Sequence, residues 1–209
     1  MAQSDLFAGR EALPDLGANA TLSSLAEDAA GCTRCHLYRN ATQTVFGAGP
    51  KDARVMLVGE QPGDQEDRQG KPFVGPAGTL LDRALEAAGI DRRETYVTNA
   101  VKHFKFEPRG KRRIHKKPDR PEIDACHWWL ERELALLAPQ IVVAMGSTAG
   151  VAVAGRRVAV MKERGSLHDH PAGFRWMVTV HPSALLRIPE RDAKAAAFDQ
   201  LVADLRLAA

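Results

Sequence analysis

Cysteine is scarce in this chain, and hydrophobic runs of membrane-spanning length are absent. Three cysteines occur in 209 residues, and this odd number argues against a disulfide framework and for thiol chemistry or metal ligation. The N-terminus has no apolar segment of the kind found in secretory signals, and no stretch approaches the length that spans a bilayer. These absences lead us to expect a cytoplasmic protein that has no membrane partner.

Linkers, internal repeats and low-complexity segments are missing as well. With 44% hydrophobic residues the chain can bury a full core, and no linker divides it into smaller units. Residues 1–22 are polar with scattered glycine and proline, which predicts a loose tail. We therefore expect a single domain over residues 23–209 that acts as a monomer.

Charge is balanced overall but not along the chain. The 29 basic and 26 acidic residues leave a net charge of only +3. Between positions 102 and 120, however, Glu107 and Asp119 alone oppose a dense series of cations. These cations are Lys102, Lys105, Arg109, Lys111, Arg112, Arg113, Lys116, Lys117 and Arg120. Such a local field suits a polyanion, although many basic runs are only solvated loops.

Apolar runs alternate with helical patterns along the chain. The runs predict strands at 54–59, 95–101, 140–144 and 174–180. The periodic segments predict helices at 76–88, 120–137 and 192–207, with shorter helices after Ser23 or Ser24 and after Gly146. Strands that alternate with helices indicate a three-layer α/β/α sandwich around a mainly parallel sheet, here with four strands.

Two of the predicted strands run directly into turns that carry polar side chains. The strand at 55–58 leads into Gly-Glu-Gln-Pro-Gly-Asp at 59–64, and the strand at 177–180 leads into His-Pro-Ser at 181–183. Ligands of open α/β sheets bind just beyond the carboxyl ends of the strands. We therefore expect the two turns to face one pocket, although they lie far apart in the sequence.

The three cysteines suggest a metal site. Cys32 and Cys35 form a C-x-x-C pair, a spacing shared by zinc sites, redox pairs and iron–sulfur sites. Cys126 lies near the start of a predicted helix, and a fourth ligand is still needed. His127 is next to Cys126 on the predicted helix, and neighbouring residues on a helix point in different directions. His103 is therefore the better candidate for the fourth ligand.

The motifs resemble those of the uracil-DNA glycosylase superfamily. Gly-Glu-Gln-Pro-Gly at 59–63 is similar to its motif A, and His-Pro-Ser-Ala-Leu-Leu at 181–186 is similar to its motif B. The segments 71–78 and 98–102 look like the neighbouring elements of its iron–sulfur members. His103 in place of a cysteine and Lys-Arg-Arg-Ile-His at 111–115 resemble the type X branch, whose members excise uracil and stay covalently joined to DNA.

This resemblance implies a cofactor and a substrate. The cofactor would be a four-iron–four-sulfur cluster held by Cys32, Cys35, His103 and Cys126. The substrate would be uracil-containing DNA, with single strands favoured because the base must leave its stack before the enzyme can reach it.

The resemblance also implies how uracil would be bound. Asn99 would read the base edge, Phe73 would stack under the ring, and His181 would stabilise charge on uracil O2. Gln61 would hold the sugar or the base, and Asp64, which is counted with the uracil-binding residues, would help to position the turn. Taken without the resemblance, Asn99 is an ordinary turn residue and Phe73 a core aromatic, while a structural role for His181 is as well supported as a catalytic one.

The remaining site residues concern the sugar and the phosphates. His115 would attack the deoxyribose C1′ and stay attached, which limits the protein to a single turnover. Glu60 would orient or deprotonate His115. Phosphate contacts are expected from Lys111, Arg112, Arg113, Ser183 and Arg187.

Two other functions fit the same residues. An ordinary uracil-DNA glycosylase would use activated water and turn over many times, with His115 as a phosphate-contacting loop residue. A metal-stabilised nucleic-acid-binding module would bind DNA in a salt-sensitive manner and release no uracil.

Overall fold

Seven β-strands occur in the computed structural model, which describes residues 13–209. In chain order they are β1 (Val55–Gly59), β2 (Thr95–Asn99), β3 (Phe106–Arg109), β4 (Arg112–His115), β5 (Ile141–Met145), β6 (His168–Asp169) and β7 (Arg175–Thr179). β3 and β4 form an antiparallel hairpin of their own. The other five form one sheet in the order β2-β1-β5-β7-β6, parallel except at the β6 edge.

Helices connect the strands. In chain order the α-helices of the described residues are α1 (Leu22–Ala30), α2 (Asp64–Gln69), α3 (Pro76–Ala88), α4 (Arg120–Leu137), α5 (Ser147–Ala154), α6 (Val160–Glu163), α7 (Pro182–Leu186) and α8 (Arg191–Leu205). Short 3-10 helices span His36–Arg39, Arg92–Glu94 and Arg206–Ala208.

The sheet is buried on both faces. Along β1, Met56 and Val58 belong to the core that α1, α4 and α5 complete. Val55 and Leu57 belong to the opposite core, which α3 and α8 complete. Successive strand residues point to opposite faces, so strands covered on both sides, such as β1 and β5, are apolar along almost their whole length. Burial on both faces explains the continuous apolar runs in the sequence.

The predicted α/β/α sandwich with a mainly parallel sheet is confirmed, but the sheet has five strands rather than four. The additional strand, β6, is only two residues long and pairs antiparallel with β7. Two residues are too few to show an alternating pattern, so the sequence did not predict it.

Helix bounds agree with the sequence where the end signals are strong. α3 and α4 span the predicted 76–88 and 120–137. α3 has proline at its first position, and Gly89 follows it in the left-handed conformation that glycine adopts without strain. α4 begins with a capping box between Asp119 and Glu122.

The N-terminal segment is described only in part. Residues 1–12 of the predicted tail lie outside the described residues. Over 13–21 there is neither helix nor strand, and α1 begins at Leu22 with Thr21 as its cap, so the predicted start after Ser23 or Ser24 is wrong. None of the helices in residues 13–209 is both long and apolar enough to cross a membrane.

The β3–β4 hairpin lies in the basic segment and is held against the domain by Arg113. The guanidinium of Arg113 pairs with the carboxylates of Asp64 and Asp67, and Asp67 is fully buried. The same guanidinium lies over the rings of Phe104 and Phe106, at 5.4 and 5.1 Å from their centroids. A charge paired and stacked in this way fixes the hairpin in place.

A buried ion pair lies beneath the end of β2. Lys102 and Glu133 contact each other, and both side chains are fully buried. The ammonium also donates to the hydroxyl of Thr98 at 2.6 Å and to the main-chain oxygen of Asn99 at 2.8 Å. Glu133 accepts from the hydroxyl of Tyr96 at 2.9 Å. The pair therefore holds the main chain just where β2 ends.

Replacing Lys102 by methionine should destabilise the protein strongly, because Glu133 would remain buried without its cation. We expect a loss of about 3–5 kcal/mol in the free energy of unfolding, measured by urea denaturation. The double variant K102M/E133Q removes both charges and keeps an acceptor for Tyr96, so it should recover most of the loss. Equal stability of the single and double variants would contradict the account.

Replacing Arg113 by glutamine should loosen the hairpin, because hydrogen bonds to two carboxylates are lost. Amide hydrogen exchange over residues 104–116 should accelerate by about tenfold or more, as expected for the loss of charged hydrogen bonds. Arg112→Gln is the matched control, since Arg112 is exposed on the same strand. Equal exchange in the two variants would show that the ion pairs do not hold the hairpin.

Candidate functional site

The candidate site lies at the carboxyl edge of the sheet. Glu60 follows β1, Asn99 ends β2, Thr148 lies in the first turn of the helix after β5, and His181 follows β7. Because these four strands are parallel neighbours, their carboxyl ends lie side by side. The two turns that the sequence placed on one pocket are therefore brought together, with the β5 turn between them.

Asn99 and Phe73 lie against the last residue of β1. An ideal Cβ built on Gly59 would stand 2.4 Å from Asn99 Oδ1 and 2.7 Å from Phe73 Cζ. Only glycine allows so close an approach of these side chains to the backbone. The Phe73 ring also lies 6.1 Å from the His181 ring, with 28° between the planes. Three of the residues predicted to contact uracil, Asn99, Phe73 and His181, thus share one small region.

Phe73 adopts an unusual backbone conformation. Its φ of 55° lies in the left-handed region, which residues other than glycine rarely adopt. Gly78 of α3 packs so tightly on the Phe73 carbonyl that a Cβ there would stand 1.8 Å from the oxygen. The Glu66 carboxylate joins this loop to the turn after β1, because it accepts from the Gly75 N–H at 2.8 Å and from the Gly63 N–H at 3.1 Å. A strained residue held by its surroundings in this way is typical of a functional site.

His181 is held as a neutral donor. Its Nδ1 accepts from the Ser183 main-chain N–H at 3.2 Å and lies 2.8 Å from the Ser183 hydroxyl. Nδ1 must therefore be unprotonated, which places the ring proton on Nε2. Burial lowers the pKa of His181 to about 4; Glu60 opposes this shift, while His115 and Arg187 add to it. At physiological pH the ring is neutral and presents an Nε2–H donor.

Glu60 and His115 lie in contact. His115 Nε2 is 3.3 Å from Glu60 Oε1, and Thr148 Oγ1 donates to Glu60 Oε2 at 2.6 Å. Burial by itself raises the pKa of Glu60. The hydrogen bonds from His115 and Thr148, with the electrostatic influence of the His115 and His181 rings, outweigh burial and leave the pKa below its usual value. Glu60 is therefore a carboxylate that faces a half-exposed imidazole.

Gln61 clamps the two ends of the hairpin segment. Its amide nitrogen donates to the main-chain oxygens of Lys105 and Lys116 at 3.1 and 3.0 Å. Its amide oxygen accepts from the Lys105 main-chain N–H at 3.1 Å. Both amide hydrogens are thus used by the backbone on either side of His115. The predicted contact of Gln61 with sugar or uracil stays a prediction; in this structure the side chain positions the hairpin.

The predicted phosphate contacts differ in their surroundings. Lys111, Arg112 and Arg187 are exposed, whereas Arg113 is paired with Asp64 and Asp67. The structure therefore gives Arg113 internal partners instead of leaving it available to phosphate.

Two further predicted contacts also have internal partners. The Asp64 carboxylate is shared between Arg113 and Arg68. Burial works to raise the pKa of Asp64, but these two arginines lower it below its usual value. The Ser183 hydroxyl lies 2.8 Å from Nδ1 of His181. Roles for Asp64 at uracil and for Ser183 at DNA therefore stay predictions.

Cys126 lies in the N-terminal half of α4, and Cys32 and Cys35 lie in the segment that follows α1. Cys126 Sγ accepts from the main-chain N–H of Lys102 at 3.1 Å, and Cys32 Sγ accepts from the indole N–H of Trp129 at 3.1 Å. Burial raises the pKa of Cys126 to about 12; Lys102 opposes this shift, while Cys35 and Cys32 add to it. The three thiols are thus close enough to affect each other's charge.

The fourth predicted ligand, His103, is buried. Its Nε2 lies 2.9 Å from the Thr44 hydroxyl, while Nδ1 is buried without a hydrogen-bond partner among residues 13–209. Buried polar atoms without partners are rare, and a ligand is one explanation for such an atom. No three His, Cys, Asp or Glu side chains in the described range converge on one point as a single metal ion requires.

A polynuclear cluster makes a different demand on its ligands. Each of its ligands binds a separate iron, so they need not converge on one point. N–H groups directed at the cysteine sulfurs and an unpartnered buried imidazole nitrogen fit such a group.

Two residues of this region were not predicted from the sequence. Thr148 binds Glu60 from the turn after β5, and Lys102 holds the end of β2. The position of Thr148 just beyond a predicted strand end was the available signal, because all such turns meet at one edge of a parallel sheet. Lys102 gave none, since it was grouped with the solvent-facing cations.

Comparisons with known proteins agree with this arrangement. Residues 46–206 match the family model of the uracil DNA glycosylase superfamily. The chain is 40% identical over 157 residues to a type-4 uracil-DNA glycosylase of Thermotoga maritima, covering 75% of this chain and 78% of that protein. It is 35% identical over 175 residues to a type-4 enzyme of Pyrobaculum aerophilum, covering 80% and 86%. The chain belongs to the uracil-DNA glycosylase superfamily.

Proposed function

We propose that this protein excises uracil from DNA and that His115 then captures the deoxyribose. The observation that carries the proposal is the contact between His115 Nε2 and Glu60 Oε1 at 3.3 Å, beside Asn99, Phe73 and His181. Family membership supports the first half of the proposal. The placement of an imidazole at this site, on a hairpin fixed by Gln61 and Arg113, supports the second half.

Base selection rests on Asn99, which is buried and points into the region beside Gly59 and Phe73. Uracil presents an N3–H donor and an O4 acceptor, and a carboxamide offers the complementary acceptor and donor. Cytosine reverses both groups, so each mismatched polar pair would cost about 1–3 kcal/mol. The Phe73 ring would support the base by stacking.

Departure of the base rests on His181. Breaking the bond between C1′ and N1 leaves the electron pair on uracil, with negative charge on O2. The Nε2–H of a neutral imidazole stabilises that charge more in the transition state than in the ground state. The Ser183 amide keeps the required tautomer, because it occupies Nδ1.

Capture of the sugar rests on His115. Loss of uracil leaves a cation-like C1′, and an unprotonated ring nitrogen can donate its lone pair to form a new N–C1′ bond. The ring then carries a positive charge, which the Glu60 carboxylate stabilises or removes by accepting the proton on the other nitrogen. A deprotonated, alkylated imidazole is a poor leaving group, so water displaces it slowly and the reaction stops at the covalent stage.

The DNA would follow the cationic surface around the hairpin tip. Lys111, Arg112 and Arg187 are exposed and suited to phosphate contacts, which depend on salt and not on sequence. Single strands would be favoured, because no base pair has to open before uracil enters the site.

The covalent step predicts a protein–DNA species that survives boiling in detergent. Wild-type protein mixed with a uracil-containing single-stranded oligonucleotide should give a shifted gel band, and His115→Ala should give none. Released uracil is measured in the same samples, and a uracil-free oligonucleotide is the control. Multiple uracils released per protein, with no shifted band, would instead favour an ordinary glycosylase in which Glu60 positions water.

An iron–sulfur cluster would be held by Cys32, Cys35, His103 and Cys126. When bound, it would join the N-terminal loop to the segment after β2 and to α4, and it would stabilise the fold. The Thr44 hydroxyl would set the orientation of the His103 ring, and the Trp129 and Lys102 N–H groups would stabilise charge on the sulfurs.

The cluster predicts a brown protein that contains iron and acid-labile sulfide. Cys126→Ser should lose the visible absorption and both elements and should unfold at a lower temperature, whereas His103→Cys, which supplies another cluster ligand, should retain them. Zinc in place of iron, or identical metal content in wild type and Cys126→Ser, would contradict the cluster.

A further inference from the structure

We infer that Thr148 is a positioning residue that directs His115 to the sugar by fixing the Glu60 carboxylate. The inference rests on the proposed capture step and adds a residue from a third turn to the two motifs. It stands on one short contact, on the burial of Thr148, and on the absence of another hydrogen bond of its hydroxyl among residues 13–209.

The hydrogen bond between Thr148 and Glu60 has a defined direction. Thr148 is 2% exposed, and its Oγ1 lies 2.6 Å from Glu60 Oε2. An ionised carboxylate can only accept hydrogen bonds, so the threonine hydroxyl must be the donor. Hydrogen bonds to charged acceptors are shorter and stronger than neutral ones, and this distance agrees with such a bond.

This contact fixes the orientation in which the Glu60 carboxylate faces His115. The main chain of Glu60 is already fixed, because its oxygen accepts from the Val101 N–H at 3.0 Å. The remaining freedom is rotation of the side chain. With Oε2 bound to Thr148, Oε1 is left for His115 Nε2 at 3.3 Å. The Glu60 carboxylate can therefore bind the His115 imidazole in one orientation only.

The turn that carries Thr148 is itself held rigidly. Gly146 has a φ of 88°, and its N–H donates to the Thr179 main-chain oxygen at 2.8 Å. A Cβ on Gly146 would stand 3.3 Å from the His181 Cβ. The turn after β5 is thus fixed against β7. Thr148 is therefore held at a defined position relative to Glu60.

A purely local role for the hydroxyl is not observed. Threonine near a helix start often caps the helix with its own side chain. In α5 the cap position is Gly146, and no side chain caps the helix. The described hydrogen bond of the Thr148 hydroxyl is the one to Glu60, on a different element.

The test compares Thr148→Val, which keeps the shape and removes the hydroxyl, with Thr148→Ser, which keeps the hydroxyl. The measurement is the fraction of released uracil that ends as protein–DNA adduct rather than as free abasic DNA. We expect Thr148→Val to form adduct about tenfold more slowly, as for loss of a hydrogen bond to a charged group. Its adduct fraction should fall, while Thr148→Ser should stay near wild type.

Partition between adduct and abasic DNA separates positioning from general damage, because partial unfolding lowers both products alike. Affinity for a uracil-free oligonucleotide should be the same in both variants and in the wild type. As a second measurement, Thr148→Val should have no further effect on the adduct fraction in a Glu60→Ala background, since Thr148 acts through Glu60.

Several outcomes would overturn the inference. An unchanged adduct fraction in Thr148→Val would do so, as would equal impairment in Thr148→Ser, which would assign the effect to the methyl group. Additive effects with Glu60→Ala would show that Thr148 does not act through the carboxylate. If wild-type protein forms no adduct at all, the capture step fails, and the role of Thr148 fails with it.

Discussion

The parallel pairing of four strands is the constraint on which the site depends. β2, β1, β5 and β7 are neighbours in one sheet, so residues that follow them in the sequence meet at one edge. Asn99, Glu60, Thr148 and His181 are brought together in this way, although Glu60 and His181 are 121 positions apart in the chain. Slippage of β5 relative to β1 would separate Thr148 from Glu60 and leave the carboxylate unfixed. The core on both faces of the sheet prevents such slippage, since a one-residue shift exchanges the two faces of a strand.

The hairpin adds the one catalytic candidate that the sheet cannot supply. His115 ends β4 and is half exposed, so its position depends on how the hairpin is attached. Gln61 binds the backbone on both sides of the hairpin, and Arg113 binds Asp64 and Asp67 beneath it. The motif-A turn thus presents Glu60 to His115 and also clamps the segment that bears His115. Gln61 and Arg113, for which the sequence predicted substrate and phosphate contacts, here hold the hairpin that bears His115.

Much of the fold could be predicted because its signals are local. Strands covered on both faces, such as β1, are apolar at almost every position, and α3 has a proline at its start and a glycine just past its end. The hairpin and β6 could not be predicted, since their stability comes from contacts distant in sequence. In the site, the strand ends were sufficient to predict that Glu60 and His181 lie at the same edge of the sheet. The partners of Arg113 and Gln61 could not be foreseen, because a cation or an amide in a sequence does not reveal whether it faces DNA or its own protein.

The central claim is that one imidazole ends the reaction by staying on the sugar. The most direct test is proteolysis of the protein after reaction with an excess of uracil-containing oligonucleotide, with mass spectrometry of the DNA-linked peptide and a count of uracil released. The account predicts that release stops at about one uracil per protein and that the fragment is attached at His115. Attachment at another residue, or continued release with no attached peptide, would contradict it.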